Sequence, residues 1–196
     1  MIEKSELTRL REAYSKVINP KSNKSSSKLN EGVEDIPRLS KSILGVLNKQ
    51  IMNELESSQI YRALSAWLND NDWVDGTKLF FKYANEELDH MSKIYTYIYE
   101  KNSRAVVPPC PNVKQEFKDI REVVESALNH EMMVTKNWND IANKSKEEND
   151  NDTYSFAMGY INEQREEEEK VRDVLEKMNL DMPKWAIDEL FGELIK

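Results

Sequence analysis

Beyond residue 37 the apolar positions recur three and four residues apart in four long runs, as they do in helices that bury one face. In the first run Leu44, Leu47, Ile51, Leu55, Leu64 and Leu68 share a face, Pro37 is placed to open the helix, and the pattern lasts to Asn69. The polar Asn69-Asp-Asn-Asp72 follows, after which Trp73, Phe80, Ala84, Met91, Ile94 and Ile98 mark a second helix to about Asn102. So short a connection makes the two helices antiparallel neighbours. Residues 103–118 contain Val106-Val-Pro-Pro-Cys-Pro111, which cannot continue a helix and favours an extended path. About 15 extended residues span the ~45 Å of a 30-residue helix, so this segment predicts a crossover that leaves the second and third helices parallel.

Asp119-Ile-Arg-Glu122 has the spacing of a capping box, and Val124, Ala127, Leu128, Val134, Trp138 and Ile141 continue a third helix to about Lys146. A polar turn over 147–152 precedes a fourth helix marked by Phe156, Tyr160, Val171, Val174 and Met178. Pro183 starts a shorter fifth with Trp185, Ile187, Leu190, Phe191 and Leu194. The predicted fold is all-α, an antiparallel four-helix bundle with one long crossover plus a short C-terminal fifth helix. Its bundle covers residues 38–180 and its fifth helix 181–196, after an N-terminal extension over 1–37. Within that extension Leu7, Leu10, Tyr14, Val17 and Ile18 predict a short amphipathic helix over 3–18, and the Ser-, Lys- and Asn-rich residues 20–35 predict a flexible linker.

Composition agrees with long helices: 33% of the 196 residues are charged, against 5 Gly and 6 Pro. The net charge of −8 is unevenly spread. The first thirty residues hold 7 Lys or Arg and 3 Asp or Glu, leaving 21 basic and 33 acidic side chains, a net −12, in residues 31–196. No apolar run approaches the ~20 residues that cross a bilayer, so no membrane role is expected. The single thiol, Cys110, can close neither an intrachain disulfide nor a four-cysteine zinc site. The leader lacks an apolar signal core, and Glu3, Glu6 and Glu12 are foreign to organelle transit peptides, which makes cytoplasm the simplest assignment.

Each apolar face is interrupted by a carboxylate. Glu54 lies three residues after Ile51, Glu87 seven after Phe80, Glu131 seven after Val124 and Glu167 seven after Tyr160, so four helices each aim one Glu inward. Four buried carboxylates must share protons or hold cations. His90 adds an imidazole, and Glu87-Leu-Asp-His90 presents both donor types from one helix face. Oxygen donors with one imidazole favour iron, with manganese or zinc as alternatives.

Asn53-Glu-Leu-Glu-Ser-Ser-Gln-Ile-Tyr61, Asn85-Glu-Glu-Leu-Asp-His90, Asn129-His-Glu131 and Asn162-Glu-Gln-Arg-Glu-Glu167, on four helices in order, resemble a non-haem ferritin of the bacterial type over roughly residues 38–180. The resemblance implies iron storage and detoxification through a di-iron ferroxidase centre that uses O2 or peroxide. Glu54, Glu87 and His90 would hold one iron, and Glu87, Glu131 and Glu167 the other. Gln164 would stand near bound oxygen or water, Tyr61 would be the adjacent tyrosine that hydrogen-bonds a ligand or gives an electron, and Glu86, Glu163 and Glu166 would form a third iron site. It also implies a homo-oligomeric shell of 24 subunits, with the fifth helix at the four-fold axis. Tyr154 and Ala157 stand where animal ferritins have their three-fold channel carboxylates.

The fourth helix offers Gln164-x-x-Glu167 and no histidine, unlike bacterioferritin and rubrerythrin, so the second ion is expected to bind more loosely. His130 points about 100° away from Glu131 and is expected to be structural or on the surface. Alternative functions are a di-iron oxidase or peroxidase acting on another substrate, a DNA-protecting mini-ferritin, and an interaction bundle with incidental Glu residues. All ligands lie on one chain, which argues against the mini-ferritin and its nucleic-acid partner. Residues 1–37 offer a segment that could dock on the shell exterior or a protein partner.

Overall fold

The computed structural model describes residues 38–195; the predicted N-terminal helix, the linker and Pro37 lie outside the described residues. The bundle consists of α1 (Lys41–Asp70), α2 (Val74–Glu100), α3 (Ile120–Glu147) and α4 (Asn151–Lys177), followed by a 3-10 turn (Met178–Leu180) and α5 (Lys184–Ile195). None of these helices is long and apolar enough to cross a membrane. The first helix starts at Lys41 rather than at Pro37, because Ser40 is extended and its hydroxyl accepts a hydrogen bond from the Ile43 N–H at 3.1 Å. Asp119 caps α3 through the Glu122 N–H at 2.9 Å, while Glu122 reaches back one residue further than a capping box requires, to the Lys118 N–H at 2.6 Å.

Three helix ends turn on Asp72, Asn102 and Asn149, each at positive φ. Behind them the Trp73, Ser103 and Asp150 N–H groups return to the carbonyls of Leu68, Ile98 and Ser145 at 2.9–3.1 Å, closing Schellman motifs with Asn or Asp in the place usually taken by Gly. Contacts at the helix ends fix the topology. The start of α1 meets the end of α2 through Arg38 N–H and Lys101 O at 3.0 Å, and meets the end of α3 through Ser40 and Glu148. The start of α4 meets the end of α2 through Thr153 and Tyr97 at 2.8 Å, so α2 and α3 run parallel and every hairpin partner is antiparallel. The crossover lies along α1: Val106 N–H donates to Asn48 at 2.7 Å, and Phe117 packs edge-on against Trp67 with centroids 6.2 Å apart.

The interior is divided in two. One cluster gathers Leu64, Leu68, Phe80, Val124, Leu128, Val171 and Val174 with others at the α5 end; the second gathers Ile43, Leu47, Ile51, Ile94, Ile98, Trp138 and Ile141 at the opposite end. Between them each helix contributes polar residues: Glu54, Ser57 and Ser58 from α1, Glu87 and His90 from α2, His130 and Glu131 from α3, and Gln164 and Glu167 from α4.

α5 closes the first end. The start of α2 has no side-chain cap of its own. Instead the Asp188 carboxylate of α5 accepts the Val74, Asp75 and Gly76 N–H groups at 2.9, 3.0 and 2.9 Å. Phe191 sits so close that a Cβ on Gly76 would meet its ring at 3.0 Å. Asp188→Ala is therefore expected to lower the unfolding free energy by about 1–2 kcal/mol. Urea denaturation would show this as an earlier midpoint, with Asp188→Asn losing less.

Candidate metal centre

The helical repeat places Glu87 and His90 one turn apart on α2, and the α1–α2 hairpin lays Glu54 against them. All three are buried, and their donor atoms lie within 4.8 Å of one another; among the described residues no other group of three His, Cys, Asp or Glu side chains meets so closely. His90 Nδ1 is 3.2 Å from Glu87 Oε2, while its Nε2 is 3.4 Å from Glu163 Oε1 on α4, a side chain 47% exposed. The imidazole thus stands between the interior and an opening. Gln50 donates to Glu54 Oε1 at 2.8 Å and accepts from Asn53 at 3.0 Å, which fixes the Glu54 carboxylate one turn along α1. On the other hairpin Glu131 of α3 is buried and accepts a hydrogen bond from Gln164 of α4. Glu167 is half-buried, at the edge of the same layer.

Electrostatics show what the layer lacks. Burial raises the pKa of Glu54 well above its ordinary 4.5, with the Glu87 charge adding to it, and raises Glu131 likewise, with Glu167 adding. Burial also lifts Glu87 to about 8 and Glu167 to about 7. Glu54 Oε2 and Glu167 Oε2 are buried with no hydrogen-bond partner. Protons alone therefore leave acceptors unsatisfied, each at a cost of about 1–3 kcal/mol. A divalent cation would replace those protons and satisfy the oxygens together. The residues fit such an ion: carboxylate oxygens with one imidazole are the donor set of iron, manganese or zinc.

The other residues singled out in the sequence occupy distinct places. Glu86, Glu163 and Glu166 line an open pocket of about 300 Å³ together with Tyr83, His90 and Glu167, but their donor atoms do not converge on one point. Glu86 lies 3.6 Å from Lys82. Tyr61 is fully buried with its hydroxyl unpartnered, against Phe80, Tyr83 and His130. Of the two expectations for His130, the structural one holds: it is buried, its Nε2 is 2.7 Å from Ser57 Oγ, and burial pushes its pKa down to about 4, so it is neutral. Ala157 is fully buried within the bundle and Tyr154 half-buried. Gln50, Ser57 and Tyr83 are participants that sequence reasoning missed. Gln50 carried a readable signal, since it stands one turn before Glu54 on the same face.

The ferritin-like domain family matches residues 44–180. A probable bacterial non-heme ferritin-like protein from Haemophilus influenzae is 34% identical over 141 residues, 72% of this chain and 86% of its own. A bacterial non-heme ferritin from Campylobacter jejuni is also 34% identical, over 72% of this chain and 85% of its own. Among solved structures, an open-pore ferritin from the archaeon Archaeoglobus fulgidus superposes with a TM-score of 0.76 at 26% identity, covering 81% of this chain and 98% of that one.

Between its ordinary 4.5 and about 8, folded Glu87 retains a proton that the unfolded chain has released, so stability of the metal-free protein falls as pH rises through that window. The metal-free protein is expected to melt at a lower temperature at pH 8 than at pH 6, and Zn(II) to raise the melting temperature more at pH 8. Equal melting at both pH values, with no effect of Zn(II), would show the carboxylates to be solvated.

Proposed function

The chain belongs to the ferritin-like family, and from that premise we propose that it oxidises Fe(II) at a centre within each subunit and stores the product in a homo-oligomeric shell. The observation that carries this reading is the convergence of buried Glu54, Glu87 and His90 beside the buried Glu131. Glu54, Glu87 and His90 receive the first Fe(II). Glu87, Glu131 and Glu167 receive the second, with Glu87 shared between them. Binding displaces the protons that burial keeps on these carboxyls, which couples uptake to proton release. Gln50 orients Glu54, and Gln164 orients Glu131. The two Fe(II) ions each give one electron to O2, which takes up two protons and leaves as hydrogen peroxide, while two Fe(III) ions pass on to the mineral.

The two halves of the centre differ in access. Every ligand of the first ion is buried, whereas Glu167 of the second is half-buried and lines the open pocket with Glu86, Glu163 and Glu166. That pocket is the route by which iron reaches and leaves the centre, and its three further carboxylates hold iron in transit. Tyr61 stands beside the layer with an unpartnered hydroxyl, available to a ligand on the iron or as a further electron donor. The body's negative charge favours uptake of cations throughout.

Replacing both Glu87→Ala and His90→Ala is expected to abolish the rapid phase of Fe(II) oxidation, followed by oxygen consumption in aerobic buffer. Since the chain is 23.0 kDa, a closed 24-subunit shell runs at about 550 kDa on gel filtration for native protein and double variant alike. An unchanged initial rate would overturn the site assignment, and a native species of one or two chains would favour an oxidase acting on another substrate.

A further inference from the structure

Against the His90 imidazole lies a second aromatic group, which the iron chemistry above does not use. Tyr160 presents its ring edge-on to the His90 imidazole, with centroids 5.3 Å apart. Its opposite partner is Trp138 of α3, stacked face to face at 4.0 Å and only 1° from parallel. Phe156 packs against both rings, at 5.2 Å from Tyr160 and 6.0 Å from Trp138. Trp138 is fully buried and Tyr160 nearly so, and neither the indole Nε1 nor the phenol hydroxyl has a hydrogen-bond partner. Buried indoles and phenols ordinarily satisfy these groups. The pair therefore combines intimate π overlap, exclusion of water and polar atoms that anchor nothing.

We propose that the Trp138–Tyr160 stack is an electron relay that converts peroxide to water at the iron centre when only one Fe(II) is present there. The proposal rests on the iron-oxidising reading above, in which each reaction with O2 leaves a molecule of hydrogen peroxide. A single Fe(II) supplies one electron to peroxide, which on its own yields one hydroxide and a free hydroxyl radical. With the second electron from the stack, the O–O bond breaks to give two waters: Fe(II), H2O2, Trp138 and two protons become Fe(III), two H2O and the Trp138 radical cation. A later Fe(II) gives one electron back to the indole and leaves as Fe(III), so the cycle consumes two Fe(II), one peroxide and two protons.

The surroundings decide which ring carries the hole. Oxidation of a phenol is favourable chiefly when its proton has somewhere to go, and the Tyr160 hydroxyl has no acceptor. An indole can lose an electron and keep its Nε1 proton, as the unpartnered Nε1 of Trp138 requires. The positive hole is then stabilised by overlap with the electron-rich Tyr160 ring and by the Glu163 carboxylate, whose charge acts on Tyr160. Tyr160 is the bridge: it touches His90 on one side and the indole on the other.

The test loads anaerobic protein with one Fe(II) per chain, adds hydrogen peroxide and freezes the mixture within milliseconds for electron paramagnetic resonance. Protein grown with ring-deuterated tryptophan is expected to show an indole radical whose hyperfine pattern narrows on labelling. The signal should be lost in Trp138→Phe and kept in Trp185→Phe. Spin-trapped hydroxyl radical should rise in Trp138→Phe, while the initial rate of Fe(II) oxidation by O2 stays that of the native protein. A native protein that oxidises Fe(II) with O2 but gives no indole radical would overturn the relay and leave the functional reading intact, whereas a native protein inactive with O2 would remove the reading itself. The labelled native protein decides the matter even where Trp138→Phe does not fold.

Discussion

A layer of carboxylates across the middle of an otherwise apolar bundle is the constraint on which the rest of the structure depends. Glu54, Glu87 and Glu131 are buried as completely as the leucines above and below them, and burial holds each of them towards its protonated form. Hydrophobic residues at those positions would make a more stable bundle. The layer persists as a set of acceptors in search of a cation, with two oxygens left without any partner. Gln50, Ser57 and Gln164 support that layer by hydrogen bonding its members in place.

Holding four helices in register around such a layer requires firm ends. The α1, α2 and α3 termini close on Asn or Asp at positive φ, and α5 reaches across to cap α2 through Asp188. α2 carries both Glu87 and His90, so the fixing of its first turn sets their height in the bundle. The crossover, tied to Asn48 near one end of α1 and packed on Trp67 near the other, holds α3 parallel to α2 and delivers Glu131 to the layer from the second hairpin.

Most of this architecture was legible in the order of residues, because a buried helical face repeats with a fixed period and a carboxylate on that face stands out against its neighbours. Glu54, Glu87 and Glu131 stand out in this way, and all three are buried. The helical period leaves His130 between two environments; α3 packs against both α1 and α4, so its buried arc is wider than a single stripe and takes in a residue 100° from Glu131. Helix α1 starts later than its proline suggests, because proline is a weaker start signal than a serine whose hydroxyl reaches the third backbone N–H. Asp188 could not have been read as a cap at all, since the N–H groups it accepts lie more than a hundred residues away in the chain. The Trp138–Tyr160 stack was visible only as two core positions; their overlap depends on the rotation of α3 against α4.

The division of the interior has a consequence for how the molecule breathes. Ile43, Leu47, Ile98 and Ile141 at one end and Leu68, Phe80, Val124 and Val174 at the other belong to separate apolar clusters, joined through the polar tier. The polar tier interrupts apolar packing at mid-length while the same four helices run unbroken through both ends, so local opening at that height breaks fewer hydrophobic contacts than opening at either end. An ion held by Glu54 of α1 together with Glu87 and His90 of α2 would act as a rivet at that height.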